Sequence, residues 1–114
     1  MKILFDHCVP RPLRRHLPGH DVMTTRQMRW ERLRNGKLLA EAATAFDVFL
    51  TVDKNIKTQQ NLHALPLPVI ALDVVNNTPE VVIPFAPFIE LAMKNLRPGV
   101  LVVIRADGTA ITYP

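Results

Sequence analysis

Three stretches of this chain are apolar without polar alternation, and each stops at an aspartate. Ile3-Leu4-Phe5 runs into Asp6, Asp47 to Val52 runs into Asp53, and Pro68 to Leu72 runs into Asp73. A strand covered on both faces has no polar side to show, so these runs predict central strands of a mainly parallel sheet. Between them lie helix signals. Pro12 to Leu17 places Leu13 and Leu17 four apart toward a core, with Arg11, Arg14 and Arg15 outward, and Pro18-Gly19 ends it. Asp21 to Thr25 is strand-like by composition and is expected beside the first strand.

Farther along, Gly36 to Ala45 predicts a helix with Asn35 as its cap and Leu38, Leu39, Ala42, Ala43 and Phe46 as its buried stripe. Lys54 to Ala64 is rich in amides and predicts a turn and a short helix closed by Leu62 and Leu65, with Pro66 and Pro68 blocking extension. Thr78-Pro79-Glu80 predicts a helix start, with Thr78 as cap. Pro84 and Pro87 should break or kink that helix, whose stripe is Phe85, Ile89, Ala92, Met93 and Leu96, before Pro98-Gly99 ends it. Val100 to Ile104 is a last strand, and Asp107-Gly108 predicts a turn into a hairpin partner at Ala110 to Tyr113. Alternating strands and helices give one α/β domain over residues 1–114, with helices on both faces and right-handed crossovers.

In such a sheet Asp6, Asp53 and Asp73 share the carboxyl edge, where open α/β sheets bind ligands. Converging carboxylates repel unless a hard cation with oxygen ligands offsets them. Each aspartate also has a plainer reading as a cap or turn residue, which is the first expectation for Asp73.

Composition narrows the classes. Hydrophobic residues at 48% and charged residues at 21% fit a globular domain, no apolar run reaches membrane-spanning length, and a cytoplasmic location is expected. The single cysteine, Cys8, excludes an internal disulfide and is expected to be an ordinary free thiol. The net charge of +4 is uneven: residues 1–37 hold nine basic residues against three acidic, while the remainder holds five against seven. That asymmetry predicts a basic surface suited to a phosphate backbone or an acidic partner, with a solvated helix face as the plainer alternative. Arg26 to Asn35 interleaves arginines with Met28, Trp30 and Leu33 in a loop or irregular turn. Trp30 is expected first as a lid on the core edge and second as a stacking platform for a nucleobase.

Met1 to Asp6, Val9-Pro10 with Leu13 and Leu17, Gly19-His20-Asp21-Val22, Asn35-Gly36 and Asp47 to Asp53 together resemble the small bacterial PIN-like proteins, most strongly through residue 62. The resemblance implies a Rossmann-like PIN fold. For active members it implies a metal-dependent endoribonuclease using Mg²⁺ or Mn²⁺, often the toxin of a toxin–antitoxin pair, with RNA and an antitoxin protein as partners. Asp6 and Asp53 match the family's metal-binding carboxylates, with Asn55 and Asp73 completing the site and Arg11, Arg14, Arg15, Arg29 and Trp30 placed to bind nucleic acid. Three positions depart from the pattern. His7-Cys8 replaces Glu-Asn, Asn55 replaces the second Asp of Thr-x-Asp-x-Asp, and Asn35 stands where an acid is often found. Each lowers the ligand charge and with it the cation affinity. His7 offers a softer ligand that would favour Mn²⁺, though solvent exposure is its first expectation, and Glu31 and Glu41 are reserve carboxylates. The alternative is a catalytically weakened PIN-like module that binds RNA or a protein through its basic face. A receiver-like domain is disfavoured because the early acidic pair is missing. Oligomeric state is left open, a homodimer among the alternatives.

Overall fold

The computed structural model describes residues 1–33, 35–53 and 65–113. Its strands are β1 (Lys2–Phe5), β2 (Asp21–Thr24), β3 (Val48–Thr51), β4 (Val69–Asp73), β5 (Leu101–Arg105) and β6 (Ala110–Tyr113). They form one sheet in the order β2-β1-β3-β4-β5-β6, with every pair parallel except β5 and β6. The continuous apolar runs are buried on both sides, as their lack of alternation requires: Ile3 to Phe5, Val48 to Thr51 and Val69 to Leu72 are all buried.

Strand geometry sends alternate side chains to opposite faces. On one face Ile3, Phe5, Val48, Leu50, Ile70, Leu72, Val102 and Ile104 pack against a 3₁₀ helix at Arg11–His16 and a helical segment from residue 79 to 95. On the other, Leu4, Phe49, Val69, Ala71 and Leu101 pack against Leu38, Leu39 and Ala42 of α1 (Asn35–Ala45). Met28, Trp30, Leu33 and Phe46 close the edge of that second layer.

Several expectations change in detail. The Pro12–Leu17 helix is the tighter 3₁₀ form, beginning at Arg11 with a proline in its first turn. The α1 helix begins at Asn35 itself, so Asn35 is not a residue preceding it. Thr78 makes no side-chain cap: its hydroxyl donates to Asn76 Oδ1 at 2.7 Å, and its carbonyl accepts the N–H groups of Val81 and Val82. Pro84 and Pro87 do interrupt the following helix, which reads α2 (Pro79–Val82), a 3₁₀ turn at Ile83–Phe85, α3 (Ala86–Ala92) and a second 3₁₀ turn at Met93–Asn95. The helix expected over residues 54–64 lies outside the described residues.

The crossovers do not share one hand. From β2 to β3 and from β4 to β5 the chain steps in the same direction along the sheet, but α1 covers one face and the segment at 79–95 covers the other. The two connections are therefore of opposite hand, and the right-handed rule cannot hold for both. The β4–β5 connection takes residues 74–100 and packs beside the 3₁₀ helix of the first crossover, so it covers more than its own two strands.

Candidate active site at the carboxyl edge of the sheet

The strand order reverses at β1: the chain leaves it toward β2 on one side and later adds β3 on the other. In doubly wound sheets such a reversal opens a crevice at the carboxyl ends of the two central strands. Asp6 follows β1 and Asp53 follows β3, so both stand at this carboxyl edge.

Register brings the groups together. Phe5 is paired with Leu50, so the next residues, Asp6 and Thr51, are level. The buried Thr51 hydroxyl donates to Asp6 Oδ2 at 2.8 Å and accepts the Asp53 N–H at 3.0 Å. One hydroxyl thus joins the first carboxylate to the backbone that carries the second. The other oxygen, Asp6 Oδ1, accepts the His7 N–H at 2.8 Å and lies 3.0 Å from His7 Nδ1. Asp6 is only 9% exposed. A buried carboxylate is costly to hold unless its oxygens are hydrogen-bonded, and here both are. Asp6 therefore meets the turn reading as well, since its backbone carbonyl also accepts the Val9 N–H.

Cys8 departs from the expected ordinary thiol. Its Sγ is 3.5 Å from Asp6 Oδ2, and burial, reinforced by the Asp6 charge, raises its pKa. The Asn77 amide donates to the Cys8 carbonyl at 3.0 Å and pins this turn to the loop before α2. Asp73 ends β4 two residues beyond Ala71, which pairs with Thr51, so it stands level with Asp53 one strand farther out. Asn55 lies outside the described residues.

Of the basic residues, Arg11, Arg14, Arg15 and Arg29 are all exposed. Arg29 holds a left-handed backbone, φ 61°, within the turns that follow β2. Trp30 sits edge-on to Phe46 with ring centroids 6.0 Å apart and packs on the second layer of the core, which is the lid position. Glu41 is exposed on α1. A depression of about 380 Å³ opens between the turns that follow β1 and β2, lined among others by His7, Arg11, Arg26, Gln27 and Glu31.

Thr51, Arg26 and Gln27 had no role in the sequence reading. Thr51 stood in the Thr-x-Asp signal, but its contact with Asp6 depends on strand register. Arg26 and Gln27 approach Arg11 only because β2 pairs with β1.

Among the described residues, no three His, Cys, Asp or Glu side chains are grouped to hold a metal ion. Mg²⁺, however, is commonly held by one or two carboxylates with water and substrate phosphate filling the remaining positions. Asp6 and Asp53 supply two carboxylates at this edge, the number that lighter demand needs, and Thr51 orients the first. Compared with family models, with curated proteins and with solved structures, the chain has no significant match. No helix among the described residues is long and apolar enough to cross a membrane.

Proposed function

We propose that this chain is a PIN-like, metal-dependent endoribonuclease, with a Rossmann-like PIN fold, acting in the cytoplasm as the toxin of a toxin–antitoxin pair. The observation that supports it is the nearly buried Asp6 at the strand-order reversal, tied through Thr51 to the backbone of Asp53. Asp6 and Asp53 would hold Mg²⁺ or Mn²⁺, with Asp73 and Asn55 as further oxygen donors. When bound, the cation supplies a water of lowered pKa and neutralises charge developing on a phosphodiester.

The chain's own residues prepare that site. Thr51 fixes one oxygen of Asp6 and the His7 N–H fixes the other, so the carboxylate is oriented before any ligand arrives. The excess of basic residues in the first 37 positions draws a polyanion toward this edge. Asp6→Asn and Asp53→Asn are each expected to abolish Mn²⁺-dependent cleavage of single-stranded RNA, and co-expressed wild-type protein to arrest growth. Cleavage that persists in the double variant overturns the reading.

A second reading has its own support. Among the described residues, the His7 N–H, the Thr51 hydroxyl and the Cys8 thiol reach the Asp6 carboxylate, and the His7 ring nitrogen lies 3.0 Å from it. A module that binds RNA or an antitoxin-like protein without cleaving would need no vacant ligand position. It predicts RNA binding with no rise in melting temperature on adding Mn²⁺, whereas a cation bound in the native state must raise it.

A further inference from the structure

We infer that the depression between the turns that follow β1 and β2 is a phosphate subsite, in which Arg11, Arg26 and the Gln27 carboxamide hold one phosphodiester of a single-stranded RNA next to the candidate active site. The identity of the polyanion rests on the nuclease reading; the anion site does not. Because β1 and β2 pair in parallel with Phe5 opposite Thr24, the turns that follow both strands emerge side by side at the carboxyl edge. Arg11 comes from the first turn and Arg26 from the second, and between them lies the space of about 380 Å³. That volume is within the range of small-ligand pockets, roughly 300–1,000 Å³.

Two guanidinium groups and one carboxylate, Glu31, line this space. Among the described residues, no carboxylate lies within ion-pair distance of the Arg11 or Arg26 guanidinium. A planar guanidinium presents paired donors that match phosphate oxygens, so two of them facing one concavity favour a phosphate over a halide or a lone carboxylate.

The second turn is also rigid before anything binds. Gln27 Oε1 accepts the Thr24 N–H at 2.9 Å, while the Gln27 N–H donates to Thr24 Oγ1 at 3.0 Å. That reciprocal pair leaves the Gln27 side-chain NH₂ as a remaining donor. The turn is closed by the Trp30 N–H on the Thr25 carbonyl at 2.9 Å, and the left-handed Arg29 makes that closure. Little ordering is left for binding to impose, which is the property a subsite needs. Glu31 also lines the depression, and its carboxylate opposes an anion there.

The test measures binding of a fluorescein-labelled eight-nucleotide RNA by anisotropy, in EDTA so that no cleavage interferes, over a range of salt concentrations. Arg11→Ala and Arg26→Ala should each weaken binding roughly tenfold and lower the salt slope by about one. The double variant Lys94→Ala with Arg97→Ala, which removes two exposed charges outside the depression, should change it less than about threefold. Glu31→Gln should tighten binding. Thermal melts confirm that these exposed substitutions leave the fold intact. The inference is overturned if the pocket pair binds like the wild type, or if the control pair loses as much. Should the wild type bind in this pattern yet cleave nothing with Mn²⁺, the subsite stands and the nuclease reading falls.

Discussion

At the scale of single residues, the most consequential side chain is Thr51, which serves two aspartates with one hydroxyl. Thr51→Val keeps the shape and removes both bonds. A hydrogen bond to a buried charged group contributes about 1.5–3 kcal/mol, so the variant should lose roughly 2 kcal/mol, read as a lower urea midpoint, and should lose cleavage as well. Cys8 offers a pH-dependent readout. Burial and then the neighbouring Asp6 charge hold its thiol pKa above the ordinary value, so the folded protein keeps its proton where a free cysteine begins to lose it. Alkylation by iodoacetamide should therefore be slower than for a free thiol at the same pH and accelerate at higher pH. A group whose folded pKa is raised favours the folded state below its unfolded pKa and loses that contribution as pH climbs past it. Asp6→Asn removes one of the raising causes and should speed labelling; an unchanged rate would show that the charge does not act on Cys8. None of this was visible in the sequence, because Thr51 and Cys8 meet Asp6 through register and turn geometry.

Among the elements, the turns and the hairpin are the parts where local chemistry decides most. The β5–β6 connection has Gly108 at φ +89°, and an added Cβ there would lie 2.8 Å from Phe88 Cε1. Gly108→Ala therefore meets a backbone penalty and a clash, and should cost roughly 1–3 kcal/mol by denaturant unfolding. Combining it with Phe88→Ala should relieve the clash but leave the backbone part, so the double-variant cycle separates the two. The same hairpin is braced at Asp107, whose carboxylate accepts the Thr109 N–H at 2.8 Å. That N–H, with the Thr109 hydroxyl, holds the Asp107 pKa below the ordinary carboxylate range, so this support persists until pH falls through that depressed value. Element types were largely legible: apolar runs ending at Asp6, Asp53 and Asp73 named the central strands, and Asp107-Gly108 named the hairpin. Caps were less so. Thr78 has the composition of an N-cap, yet Asn76 competes for its hydroxyl, a local contest that residue preference alone does not resolve.

For the whole molecule, the parallel sheet and its two covered faces followed from hydrophobic pattern, whereas the hand of the β4–β5 crossover did not. Handedness depends on which face a helix chooses, and an apolar stripe says only that some face is buried. The outcome is that one layer is roofed by pieces from both ends of the described chain: Leu13 and Leu17 near the start, Val82, Phe85 and Ile89 near the end. Ile3, Phe5 and Val48 are buried in the same core cluster as both pieces. A fragment of residues 1–53 should consequently show no cooperative melt by circular dichroism. The intact protein should unfold in one calorimetric transition with equal calorimetric and van't Hoff enthalpies, and two resolved transitions would contradict this coupling. In genetic terms, the shared roof blurs the map between position and phenotype. In a selection for loss of function, substitutions at Phe85 or Ile89 should be recovered alongside those at Asp6, and only the abundance of the protein would tell the two kinds apart.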